Sequence, residues 1–161
     1  MKVLSILLAF VLLVTASCAA YLFLTCRISV ADVLVSSVEA VSQQTLFSSI
    51  QNQFRLDAVA GTPFTDALEG SSEEYKFCTY AIHLSNTSFL PATTVEAAIL
   101  PMQGDIMQLP DTVQHLLPSQ SEGILECTLL TGIHMHTVRE IQITYYLWGI
   151  PFTLRTRAAQ S

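Results

Sequence analysis

Positive charge is scarce in this chain of 161 residues: seven lysines and arginines stand against thirteen acidic residues. Two of the seven, Lys2 and Arg27, flank an apolar segment, which leaves Arg55, Lys76, Arg139, Arg155 and Arg157 for everything after it. Those five against all thirteen acids give residues 28–161 a formal charge of −8. That is the opposite of the basic footprint with which proteins hold nucleic acid. The same shortage excludes a polybasic patch for anionic lipid, so any hold on a membrane must come from apolar surface.

Other scarcities exclude chemistry. The four cysteines form no Cys-x-x-Cys pair, so zinc-ribbon and thioredoxin-type sites are not indicated. The six glycines make no phosphate-binding or dinucleotide-binding loop, and no Gly-x-Ser-x-Gly elbow occurs. His134-Met135-His136 on an extended segment would put two imidazoles on one side, but zinc sites take three or four protein ligands. Glu73-Glu74 reads as a solvated loop end rather than a catalytic dyad. No catalytic residue, metal ligand or cofactor is therefore assigned.

What the chain does have is a charge-free run from Val3 to Cys26. As a helix, Val3–Thr25 is roughly 35 Å long, enough to cross the ~30 Å hydrocarbon layer of a bilayer. A cleaved signal peptide would have a shorter apolar core ending in small residues. Ser17-Cys18-Ala19 and Cys18-Ala19-Ala20 offer such sites, but Tyr21, Leu22, Phe23 and Leu24 carry the run on. An uncleaved signal-anchor over residues 1–27 is the favoured reading, with cleavage and lipidation behind it. So short an amino terminus is expected in the cytoplasm, which makes a single-pass protein of the cell membrane with its carboxy-terminal domain outside.

Residues 28–74 are expected as a stalk. Val30, Leu34, Val38, Val41 and Thr45 fall on one helical face, favouring a helix over about Asp32–Asn52, although the β-branched content allows a strand over Ile28–Val35. A surface loop around Gly61, Pro63 and Gly70 follows.

From Tyr75 the pattern is β. Tyr75–Leu84 alternates, with Lys76, Cys78, Tyr80, Ile82 and Leu84 on one face, and Thr93–Leu100 alternates with Val95, Ala97 and Ile99 inward. Short segments at Ile106–Leu109 and Val113–Leu117 precede Glu122–Leu130, Arg139–Trp148 and Phe152–Arg157. Strands every 8–15 residues, without helical pattern between them, predict a mainly β, antiparallel sandwich over residues 75–157, with a final hairpin and a tail at 158–161.

Within this region, Asn86 closing a strand, Pro91-Ala92 opening the next, and Leu116-Leu117-Pro118-Ser119-Gln120-Ser121 before a later strand resemble cell-surface immunoglobulin-like modules of the adhesion-associated and late-embryogenesis-abundant types. Gln120 stands where those modules would have glycine. The whole chain also resembles small single-pass bacterial membrane proteins. The resemblance implies a structural or binding module and carries over no catalytic residue.

Six side chains remain as candidates. Cys78 and Cys127 sit mid-strand among apolar neighbours, and two readings stand side by side: buried thiols, or an inter-sheet disulfide closing a ~50-residue loop, worth about 4 kcal/mol. Tyr146 and Trp148 share the more polar face of their strand, either as a binding patch or as packing under a neighbouring loop, and such rings also suit a membrane interface. Cys26, at the segment's end, is a candidate for acylation, and Asn86-Thr87-Ser88 fits the N-glycosylation pattern in an expected surface turn. The leading function is a non-catalytic, membrane-anchored, extracytoplasmic interaction module for a protein partner. A small-ligand or glycan-binding domain using Tyr146 and Trp148 comes second, and a metal-dependent enzyme third.

Overall fold

The computed structural model describes residues 2–25, 27–110 and 114–158. It opens with helix α1, Lys2–Thr25, whose residues Leu4–Tyr21 are exposed and carry no charge. This helix is long and apolar enough to cross a membrane. Cys26, Val113 at the start of the expected short segment Val113–Leu117, and the last three residues of the expected tail lie outside the described residues.

Two antiparallel sheets follow, packed face to face as a sandwich. The first has strands β1 (Ile28–Glu39), β2 (Thr62–Pro63), β3 (Tyr75–Asn86), β5 (Asp105–Gln108) and β7 (Ser121–Gly132), in the order β1-β3-β7-β5-β2. The second has β4 (Ala92–Ile99), β6 (Gln114–Leu117), β8 (Glu140–Leu147) and β9 (Ile150–Arg157), in the order β6-β4-β8-β9. The core between them is built by period-2 alternation. Cys78, Tyr80, Ile82 and Leu84 of β3, and Leu125, Cys127 and Leu129 of β7, meet Val95, Ala97 and Ile99 of β4 and Ile141, Ile143, Tyr145 and Leu147 of β8. Tyr145 also stacks on Phe152 across the final hairpin, with ring centroids 5.6 Å apart.

Residues 28–74 are not a helical stalk. Ile28–Glu39 is a full edge strand of the sandwich, paired with β3 from Ile28↔Asn86 to Glu39↔Lys76. Val30, Leu34 and Val38 are spaced by four, which satisfies the helical and the extended period alike, and the long pairing with β3 selects the extended one. A register shift between Val30 and Asp32 then turns Val33 and Val35 toward the core and leaves Leu34 and Val38 exposed. The helix that does form, α2 (Gln44–Arg55), is shorter than expected. Its Phe47 and Ile50 close a second core on the outer face of the first sheet, against Phe77, Met107 and Leu130.

Two polar devices hold the sheets together. β6 pairs only with the first half of β4, so the backbone groups of Ala97 and Ile99 that point away from β8 have no strand opposite them. The buried side chain of Gln108 takes that strand's place: its amide donates to the Ala97 carbonyl at 2.7 Å and accepts from the Ile99 N–H at 2.8 Å. The second device is the buried pair of Asp105 and Arg139, described below.

Candidate functional site

The residues that carried the resemblance converge on one corner. The buried Asn86 amide donates to the carbonyls of Leu90 (2.9 Å), Leu117 (3.2 Å) and Pro118 (2.8 Å). Its oxygen accepts from the N–H and hydroxyl of Ser88. One side chain thus ties the end of β3 to the loop before β4 and to the end of β6. The Asn86 nitrogen is spent in these bonds and is not the surface acceptor that the N-glycosylation pattern suggested. Gln120, in the place of the expected glycine, has φ +52°, the left-handed region that glycine enters most easily.

Cys78 and Cys127 are buried and are not bridged. The expected inter-sheet geometry does not occur, because β3 and β7 are neighbours in one sheet. Cys78 lies opposite Leu129, and Cys127 opposite Tyr80, so the two cysteines are diagonal neighbours. Diagonal positions lie ~7–8 Å apart, beyond the usual disulfide span. Burial pushes the Cys78 thiol above its ordinary range, more than the nearby Lys76 and Arg139 lower it, and so suppresses its nucleophilic form.

His134 and His136 are exposed on the loop after β7, but they do not converge. A turn closed by Met135 N–H to Gly132 carbonyl breaks the extended geometry. His134 then lines a groove with Glu73 and Glu74, while His136 lines another with Arg155 and Arg157. Among the described residues no group of three or more His, Cys, Asp or Glu side chains is placed to hold a metal ion.

The network around Asp105 could not be anticipated from sequence spacing. Arg139, just before β8, donates from Nε to one Asp105 oxygen at 3.0 Å and from a terminal nitrogen to the other at 2.7 Å. Both side chains are fully buried. The carboxylate also accepts from the Thr131 hydroxyl (2.7 Å) and the Met102 N–H (2.8 Å), while Arg139 donates to the His136 and Val138 carbonyls. Burial works against the charge on Arg139, and the hydrogen bond and charge of Asp105 outweigh it, holding the guanidinium above its usual range. Tyr80 adds a bond from its hydroxyl to the Thr137 carbonyl at 2.7 Å, and burial raises its phenol. These bonds join β5 and β7 of the first sheet to the start of β8 in the second, which makes the network a clamp between sheets.

Tyr146 is half-buried, and Trp148 is 71% exposed. The alternation that put them on one face ends at Leu147, since Trp148 has φ +52° and Gly149 φ +77°. These two residues are the tip of the β8–β9 hairpin, closed by Leu147↔Ile150. The packing reading therefore does not apply to Trp148. What the sequence offered as a strand residue is an exposed ring at a loop apex.

No family model matches the chain, and no curated protein matches it. Among solved structures, it is similar to the GAE domain of yeast GGA1, at 17% identity and a TM-score of 0.40, over 58% of this chain and 96% of that one. It is likewise similar to the GAE domain of GGA2p from Saccharomyces cerevisiae, at 10% identity and a TM-score of 0.38, over 59% of this chain and 96% of that one.

Proposed function

We propose that the chain is a membrane-anchored, extracytoplasmic β-sandwich that binds a protein partner and has no catalytic centre. The observation that carries this reading is α1: a charge-free helix exposed over Leu4–Tyr21, joined to the sandwich through only Cys26 and Arg27. A helix that buries none of its apolar surface in the protein needs an apolar surrounding elsewhere, and its length suits a bilayer. The non-catalytic part of the reading is supported by the described polar groups: Asp105, Arg139, Gln108 and Asn86 are all committed to structural bonds. The interaction role is what the resemblance to adhesion-associated and late-embryogenesis-abundant modules implies, and its residues Asn86 and Pro91-Ala92 lie at one structural corner. The glycan-binding alternative loses its shared platform where the strand ends before Trp148.

The test is protease added to intact cells expressing the full chain. Digestion of residues 28–161, with an α1-containing fragment left in the membrane, is the expected result. A chain protected in intact cells and digested only after lysis would place the sandwich on the cytoplasmic side and overturn the proposal.

A further inference from the structure

The end of the sandwich nearest α1 differs from the rest of the molecule. Ile28 begins β1 opposite Asn86, which lies opposite Ser121, so the end of β3 and the start of β7 share the end at which α1 attaches. The bonds from Asn86 to Leu117 and Pro118 bring the second sheet's loops to the same end. Thr93↔Tyr146 and Leu147↔Ile150 bring the β8–β9 turn there too. Three loops meet here, 87–91, 118–120 and 148–149, and neither they nor the strand ends beside them at 92–94, 116–117, 121, 146–147 and 150–151 carry a charged residue, although Arg27 and Glu122 border this end. Glu39, Glu69, Glu73 and Glu74 gather at the opposite end. In place of charge the near end exposes Phe89 (73%), Trp148 (71%), Leu116 (52%) and Ile150 (45%).

The turn at Trp148 gives an independent reason to look for a ligand here. With φ positive at both central residues it is the hairpin turn that favours Asn-Gly, because a bulky side chain fits poorly in the left-handed region. The chain nevertheless puts its single tryptophan there. A strained backbone that presents an indole to the outside at an uncharged tip contributes nothing evident to folding, and such strain is characteristic of binding sites.

We infer that this end rests on the bilayer, with Trp148 and Phe89 seated in the headgroup region and Leu116 and Ile150 beside them. The inference relies on α1 spanning the membrane, as proposed above. Three residue steps, Thr25 to Ile28, reach at most about 10 Å, and the headgroup region on each side is about 5–7 Å deep. The start of β1 can therefore stand no more than about 3–5 Å clear of the headgroups, and the loops turned toward α1 expose rings and carry no charge, with Arg27 and Glu122 at their border. Tryptophan is at home at that depth, with the indole body in the acyl boundary and its N–H in the headgroups. Since these loops carry no lysine or arginine, contact requires no anionic lipid. The sandwich is thereby held at a fixed height and tilt, leaving the α2 end and the acidic loops facing away from the membrane.

Trp148, as the only tryptophan, reports on itself. The full chain is reconstituted into phosphatidylcholine vesicles, recovered by flotation, and its fluorescence is quenched from the water by iodide and from the lipid by shallow spin-labelled phospholipid. Loss of most iodide quenching together with strong quenching from the lipid is expected, and Phe89→Ser should partly restore iodide access without unfolding the domain. Chain that floats while Trp148 stays open to iodide and untouched by the lipid label overturns the contact and leaves the anchor standing. Shielding from iodide without lipid quenching means that protein covers the ring, which also overturns it. A chain that fails to float overturns anchor and contact together.

Discussion

Asp105→Ala removes a buried carboxylate that accepts four hydrogen bonds, from Arg139 twice, from Thr131 and from Met102. The cost is not four bonds' worth of attraction, because the unfolded chain regains bonds to water. The larger part is the guanidinium of Arg139, which stays fully buried with two carbonyls as its remaining partners. Breaking a buried ion pair in this way costs about 3–5 kcal/mol. For a domain whose whole stability is of the order of 5–15 kcal/mol, that is a large share. Equilibrium unfolding in urea, followed by circular dichroism on the full chain in mild detergent, measures it as a drop in midpoint at unchanged slope. The same reasoning requires a particular double variant. Asp105→Ala with Arg139→Met removes both charges, so it should lose clearly less than the sum of the two single variants. A loss below about 1 kcal/mol for Asp105→Ala, or a double variant whose loss equals the sum, would refute a clamp made by that pair.

Three further expectations follow from the core and the turns. Leu125→Ala, in the inner core opposite Ile82, should cost about 2–5 kcal/mol in the same urea experiment through the cavity it leaves. Gln120→Gly should raise stability by about 0.5–1 kcal/mol, because glycine relieves the left-handed backbone, and a decrease would refute that reading. A thiol reagent at pH 7–8 should leave Cys78 unmodified in folded protein and label it rapidly in urea, since burial raises its pKa and keeps the reactive thiolate rare. Rapid labelling of Cys78 before unfolding would contradict its placement in the core.

Legibility in the sequence tracked how local each determinant is. The inward faces of β3, β4 and β8 were readable, because alternation within eight to ten residues decides which side chains are buried. Cys78, Tyr80, Ile82 and Leu84 lie inside as expected, as do Val95, Ala97, Ile99, Ile141, Ile143 and Tyr145. The final hairpin was readable from its short connection. β1 is ambiguous in the sequence because a spacing of four fits both periods, which leaves a strand over Ile28–Val35 open beside the favoured helix, and its state depends on pairing with residues about fifty positions away. Asp105 and Arg139 are thirty-four residues apart and meet only when the two sheets close, so no local pattern marks them. Gln108 is likewise recognisable only once β6 is seen to stop short of Ala97. The alternation assigns Trp148 to the strand of this hairpin, whereas it stands in the turn, because the strand ends one residue earlier.

The central claim is that the sandwich is carried by an uncleaved helix in a membrane, and alkaline carbonate extraction followed by intact-mass measurement tests it most directly. Full-length chain retained in the membrane pellet, at the mass of the uncleaved sequence, is the expected result. Protein beginning near Ala20 and released into the supernatant would contradict it.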